Sequence, residues 1–201
     1  MRMADMSVQE VSKLINIALD NGVNLFDHAD IYGAGRSEEV FGKALAENKG
    51  MRERMRIQTK CGIRDGYYDF SAAHILSSVD DSLRRLQTEY IDLLLLHRPD
   101  ALMDVEEVAD TLHQLQRTGK VRRFGVSNFT SAQIELLQSV CKVPIQVNQM
   151  QFGLMHAGMI QQGLEANMLT DGAASRDMAV LDYCRFCLLY TSPSPRDRTR
   201  S

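Results

Sequence analysis

Residues 91–97 read IDLLLLH, an apolar run closed by a histidine. A short run with so little polar alternation is the pattern of a strand covered on both faces, as in a parallel sheet flanked by helices. On either side of it the hydrophobic period switches to that of a helix. Upstream, Ser71 can cap a helix whose apolar face carries Ile75, Leu76, Val79, Leu83 and Leu86. Downstream, Asp104 can cap another that carries Val105, Val108, Ala109, Leu112 and Leu115 and stops at Gly119. Side-chain oxygens at these positions satisfy the free N–H groups of a helix start.

The alternation extends in both directions. Ser7 and Glu10 form a capping box ahead of Val8, Val11, Leu14, Ile15, Ala18 and Leu19, with Gly22 as a stop. Val23–Phe26 reads as a strand, Ser37 to about Glu47 as a helix, and Met55–Thr59 as a strand. Toward the C-terminus, Val121–Val126 is a strand, and Thr130 with Gln133 caps a helix carrying Ile134 and Leu137. The strand Ile145–Val147 follows Pro144, then a long irregular stretch and a helix over about Ser175–Arg185. Strict alternation implies parallel strands joined by right-handed crossovers. Two α/β architectures fit, an open doubly wound sheet and a β/α barrel.

The strand ends discriminate between them. They carry Asp27, Lys60, His97, Ser127 with Asn128, and Asn148 with Gln149. In a barrel these ends converge on one mouth, where active sites are built. An open sheet binds its ligand at a switch in strand order, usually with a phosphate loop. No G-x-G-x-x-G follows any strand, and Glu38 stands where the third glycine after Gly33-Ala34-Gly35 would be. The expected fold is a (β/α)8 TIM barrel, incomplete, with about five of its eight strands.

Composition sets the frame. The 201 residues are 44% hydrophobic and 24% charged, with a formal net charge of −3. That describes one globular domain, or most of one, with no basic field for nucleic acid or an anionic membrane. No apolar run reaches the ~18 residues of a membrane span, and MRMADMSVQEV lacks a secretory apolar stretch. A cytoplasmic location is expected. Cys61 and Cys141 stand alone, and Cys184 with Cys187 forms a single C-x-x-C without the second pair a structural zinc site needs. They read as buried or incidental thiols.

Five ordered segments resemble the aldo-keto reductase family. FDHADIYGAGRSEEVFGKAL (26–45) is similar to its first signature. RIQTK (56–60), LRRLQTEYIDLLLLHRPD (83–100), GKVRRFGVSNF (119–129) and VPIQVNQMQF (143–152) are similar to the segments that follow it there. The HADIYG wording and HAGMIQQGLEANMLTDGAASRD (156–177) resemble a bacterial branch of predicted oxidoreductases.

The resemblance implies reduction of aldehydes and ketones with NADPH and no metal. It matches Tyr32 to the proton donor and Asp27, Lys60 and His97 to the rest of a catalytic tetrad. Ser127, Asn128 and Gln149 match residues that hold the nicotinamide carboxamide. The chemistry is coherent. Hydride delivery builds negative charge on the carbonyl oxygen, which needs a proton and a stabilising donor. An ammonium beside a phenol makes the phenol a better acid, and a carboxylate keeps that ammonium charged. Imidazole can donate to the carbonyl oxygen, and amide side chains match a planar carboxamide.

Two alternatives stand beside this reading. Some relatives of such reductases serve as cofactor-sensing subunits of potassium channels. A metal-dependent barrel hydrolase would use His28, Asp30 and His97. The resemblance places a partial barrel at 1–186, without the first strand and the C-terminal strands, so weak cofactor binding and no turnover are expected of this length of chain. CLLYTSPSPRDRTRS (187–201) has no helix or strand period and resembles translated sequencing-adapter read-through. It is expected to be non-native or disordered.

Overall fold

The computed structural model describes residues 2–165, 168–174 and 178–193. Helices and strands alternate: α1 (Val8–Asp20), β1 (Leu25–Asp27), α2 (Arg36–Glu47), β2 (Arg56–Cys61), α3 (Ala72–Leu86), β3 (Leu93–Leu96) and α4 (Val105–Arg117). They continue through β4 (Phe124–Ser127), α5 (Ser131–Val140), β5 (Ile145–Met150), α6 (Gly158–Leu164), α7 (Val180–Phe186) and β6 (Tyr190–Pro193). The expected caps are in place. Ser7 with Glu10 and Thr130 with Gln133 close reciprocal boxes, Ser71 accepts from the His74 N–H, and Asp104 accepts from those of Glu106 and Glu107.

All neighbouring strands are parallel and follow sequence order from β1 to β6. A doubly wound sheet reverses its order partway; this one does not. One face of the sheet packs on the helices. Ile57 joins Phe41 and Leu86 in one core, while Leu94, Leu96, Phe124, Val126 and Ile145 join Val79, Leu112 and Ile134 in another. The opposite face carries Leu93, Leu95 and Val147 as a separate small cluster. Gly125 lies on that inner face, where a Cβ would come within 2.6 Å of both Leu95 Cδ2 and the Val147 carbonyl oxygen. The architecture is the incomplete β/α barrel that the strand ends pointed to.

Differences lie at the edges. Ile91 makes an isolated bridge to Val121, and regular pairing of β3 begins at Leu93. The stretch expected to be irregular contains α6. The last helix starts at Val180; Ser175 and Arg176, where its start was expected, lie outside the described residues. The segment 187–201, expected to lack a strand, contributes β6, which pairs with β5 from Val147–Tyr190 to Met150–Pro193. The free edge of β5 offers unpaired backbone groups to any extended chain that reaches it. Residues 194–201 lie outside the described residues. Cys61, Cys141 and Cys184 are buried and Cys187 is exposed. Among the described residues no helix is long and apolar enough to cross a membrane.

Candidate active site

Asp27 closes β1 and pairs in register with Gln58 of β2. Residues two apart on a strand share a face, so Gln58 and Lys60 both project to the inner side beside Asp27. Lys60 is 1% exposed. A buried ammonium is costly unless its protons are taken up, and here all three find acceptors. Lys60 Nζ lies 2.7 Å from Asp27 Oδ1, 2.9 Å from the His28 carbonyl oxygen and 3.3 Å from the Tyr32 hydroxyl. Asp27 also accepts from Gln58 Nε2 on Oδ1 at 2.5 Å and from Gln149 Nε2 on Oδ2 at 3.2 Å.

Tyr32 reaches this point from the loop joining β1 to α2. The loop is stitched to β2 by the Asp30 N–H on the Lys60 carbonyl at 3.0 Å, then turns back through the Tyr32 N–H on the Ala29 carbonyl at 3.0 Å. Gly33, Ala34 and Gly35 follow with φ of 60°, 54° and 88°. Glycine suits this left-handed run, and at Gly33 a Cβ would also sit 2.7 Å from that of Ala4. The far end of the loop is anchored by Glu38. Its fully buried carboxylate accepts from Thr59 Oγ1 at 2.6 Å, Ser82 Oγ at 3.1 Å and Arg85 Nε at 2.8 Å.

His97 follows β3, held by its N–H on the Cys61 carbonyl at 2.9 Å. Its buried ring stands edge-on to Tyr32, 5.9 Å between centroids. The structure thus brings Asp27, Tyr32, Lys60 and His97 together from three strand ends and one loop. Ser127, Asn128 and Gln149 sit on the neighbouring ends of β4 and β5. The Ser127 hydroxyl donates to the Gln149 carbonyl oxygen at 3.1 Å, and Asn128 Nδ2 donates to Ser127 Oγ at 3.2 Å. Asn128 Oδ1 accepts the Gln151 N–H at 2.7 Å. Beyond Asn128, a cavity of about 720 Å³ is lined by Arg98, Gln151, Met155 and Met159.

Comparison with known proteins gives the family. The aldo/keto reductase family model matches residues 2–184. The chain belongs to the aldo/keto reductase family. It is 44% identical to the oxidoreductase YdhF of Escherichia coli over 79% of this chain and 56% of that relative. It is 33% identical to a "Probable voltage-gated potassium channel subunit beta" of Arabidopsis thaliana, over 64% of this chain and 40% of the relative. A crystal structure of an aldo-keto reductase from Klebsiella pneumoniae in complex with NADPH superposes with a TM-score of 0.71 at 25% identity, covering 96% of this chain and 60% of that one. The chain therefore spans little more than half the length of its first relative.

Within this aldo/keto reductase, one inner-face atom bears on a nicotinamide. Gln149 Oε1 is buried and makes no hydrogen bond among the described residues. A buried amide oxygen without a donor is unfavourable, and a carboxamide N–H is the kind of donor it lacks. Ser127, Asn128 and Gln149 together offer the donors and acceptors that such a group requires.

The neighbouring titratable groups have other roles. His28 packs edge-on against Phe41, 4.4 Å between ring centroids, and burial pulls its pKa down to about 4, so it is neutral at pH 7. Burial and the nearby Glu38 push Asp30 up to about 7. Burial pushes the Cys61 thiol up as well, which keeps it protonated and inert. His28, Asp30 and His97, the set for a metal hydrolase, do not converge. His28 faces α2 and His97 faces Tyr32, and no group of three potential metal-binding side chains occurs among the described residues.

Sequence reasoning missed Gln58, Glu38 and Arg85. The signal for Gln58 was present, since a strand places it on the face of Lys60. Glu38 gave none, because an acidic residue in the first turn of a helix is ordinarily solvated and favoured there by the helix dipole.

Proposed function

We propose that these residues form the reaction centre of an NADP-dependent reductase that converts aldehydes and ketones to alcohols, with Tyr32 as general acid. The observation that carries this reading is the Lys60 ammonium, held between the Asp27 carboxylate and the Tyr32 hydroxyl. The Klebsiella relative in complex with NADPH supports the choice of cofactor.

When bound, the nicotinamide supplies the hydride, and Ser127, Asn128 and Gln149 hold its carboxamide. The chain's own residues manage the charge and the proton. As negative charge builds on the substrate oxygen, the Tyr32 hydroxyl gives up its proton to it. The Lys60 N–H that points at Tyr32 stabilises the negative charge left behind, at a buried site where such a contact is stronger than in water. Asp27 keeps Lys60 charged and in place. The His97 imidazole donates to the carbonyl oxygen and orients it. The substrate is a small carbonyl compound.

The test uses the chain completed to a full barrel with the remaining strands of the Escherichia coli relative. Loss of NADPH absorbance is followed with a broad panel of aldehydes and ketones. Tyr32→Phe should lower kcat by about 10²–10⁴-fold, the usual contribution of a positioned acid, with NADPH affinity retained. Turnover unchanged in Tyr32→Phe would reject Tyr32 as the acid.

A second reading, a cofactor-binding regulatory subunit, is favoured by the likeness to the Arabidopsis channel subunit. It predicts NADPH binding with negligible turnover across the whole carbonyl panel.

A further inference from the structure

We propose that Gln58 is a positioning residue of the reaction centre: it shares Asp27 Oδ1 with Lys60 and so sets how much of the ammonium's charge reaches Tyr32. The proposal rests on the reductase reading for its purpose, and on geometry alone for its content. Gln58 is 3% exposed and lies two residues before Lys60 on β2. Its Nε2 meets Asp27 Oδ1 at 2.5 Å, and Lys60 Nζ meets the same oxygen at 2.7 Å. Two donors from one strand therefore converge on one carboxylate oxygen, while Gln149 takes the other at 3.2 Å. Hydrogen bonds to an ionised acceptor are the strong ones, and this pair locks the rotation of the Asp27 carboxylate.

The electrical consequence follows from neutrality. The Gln58 amide carries no net charge, so it satisfies part of Asp27 without competing for the role of counter-ion. A carboxylate so satisfied draws less on Lys60, whose remaining N–H points at the Tyr32 hydroxyl 3.3 Å away. Removing the amide leaves Asp27 Oδ1 to Lys60 alone. The ammonium is then more fully neutralised at Tyr32, and negative charge on the Tyr32 oxygen is less stabilised.

The experiment uses the 201-residue chain itself and needs neither cofactor nor turnover. Phenolate absorbance is titrated against pH in the parent and in Tyr32→Phe; with six tyrosines in the chain, the difference isolates Tyr32. The same pair is measured in the Gln58→Met background, which keeps the volume and removes the donor, and in Gln58→Glu, which adds a second carboxylate. Circular dichroism reports the fold of each.

The expected result is Tyr32 ionising at higher pH in Gln58→Met, with about tenfold less phenolate at a given pH, which is about 1.4 kcal/mol. The shift should be larger in Gln58→Glu. An unchanged Tyr32 titration in a folded variant overturns the proposal. Loss of the fold in both variants while Tyr32→Phe folds also overturns it, since Gln58 would then serve the fold. If the titration shifts as expected but the completed barrel never consumes NADPH, the reductase reading fails and the positioning role of Gln58 stands.

Discussion

Asp30 and His28, neighbours on the loop that delivers Tyr32, make stability depend on pH in opposite senses. The Asp30 pKa rises on folding from 3.8 to about 7, first through burial and then through Glu38. Its stabilising share is complete below about 3.8 and is lost as pH climbs through about 7. The His28 pKa falls from 6.5 to about 4 through burial. Its share is complete above 6.5 and is lost as pH falls through about 4. Asp30→Asn should therefore gain on the parent between pH 5 and pH 8, by on the order of 1 kcal/mol after screening by solvent. Denaturant midpoints at the two pH values check this, and a gap independent of pH would contradict it. Glu38 is a different case, because it is paired: Arg85 Nη2 stands 2.8 Å from its Oε2. Glu38→Gln leaves the partly buried guanidinium without its counter-ion and should cost about 1–3 kcal/mol, read as a lower denaturant midpoint.

Elements show where local chemistry is enough and where it is not. The caps at Ser7, Ser71, Asp104 and Thr130 were legible because a cap and its helix lie within four residues of each other. Thr130→Ala should cost about 1 kcal/mol of stability, measured by thermal melting. Strand limits were less legible, because pairing with a neighbour decides where a strand starts: Ile91 belongs to the apolar run yet only bridges to Val121. Neither α6 nor β6 has a period of its own, and β6 exists only as a partner of β5. Close approach between elements is equally invisible along one segment. Gly42 of α2 faces α3 so closely that a Cβ would lie 2.1 Å from the Arg85 carbonyl oxygen. Gly42→Ala should cost about 1–3 kcal/mol, the range for overpacking, and lower the melting temperature. A neutral result would mean that α2 and α3 separate easily.

At the scale of the molecule, consecutive parallel pairing is what turns separated polar residues into a site. Asp27 and Gln149 are 122 positions apart in the chain, yet the two side chains share a hydrogen bond. The polar strand ends announced a common mouth from sequence alone, and Asp27, Lys60, His97, Ser127, Asn128 and Gln149 do sit at it. Which of them touch could not be read, because that depends on inward or outward facing and on curvature. Asn148 illustrates this. It also stands on a polar strand end, yet it turns to the helical side, where its Nδ2 donates to the Phe129 carbonyl oxygen at 3.0 Å. The proposed carbonyl reduction depends on a carboxylate-pinned ammonium set against a phenol. The decisive measurement is kcat for NADPH-dependent carbonyl reduction by Lys60→Met in the completed barrel, with NADPH affinity measured alongside. A fall of at least about 10²-fold with cofactor binding intact is expected; a kcat that keeps its parent value would rule out the Lys60 ammonium as the group that drives the reaction.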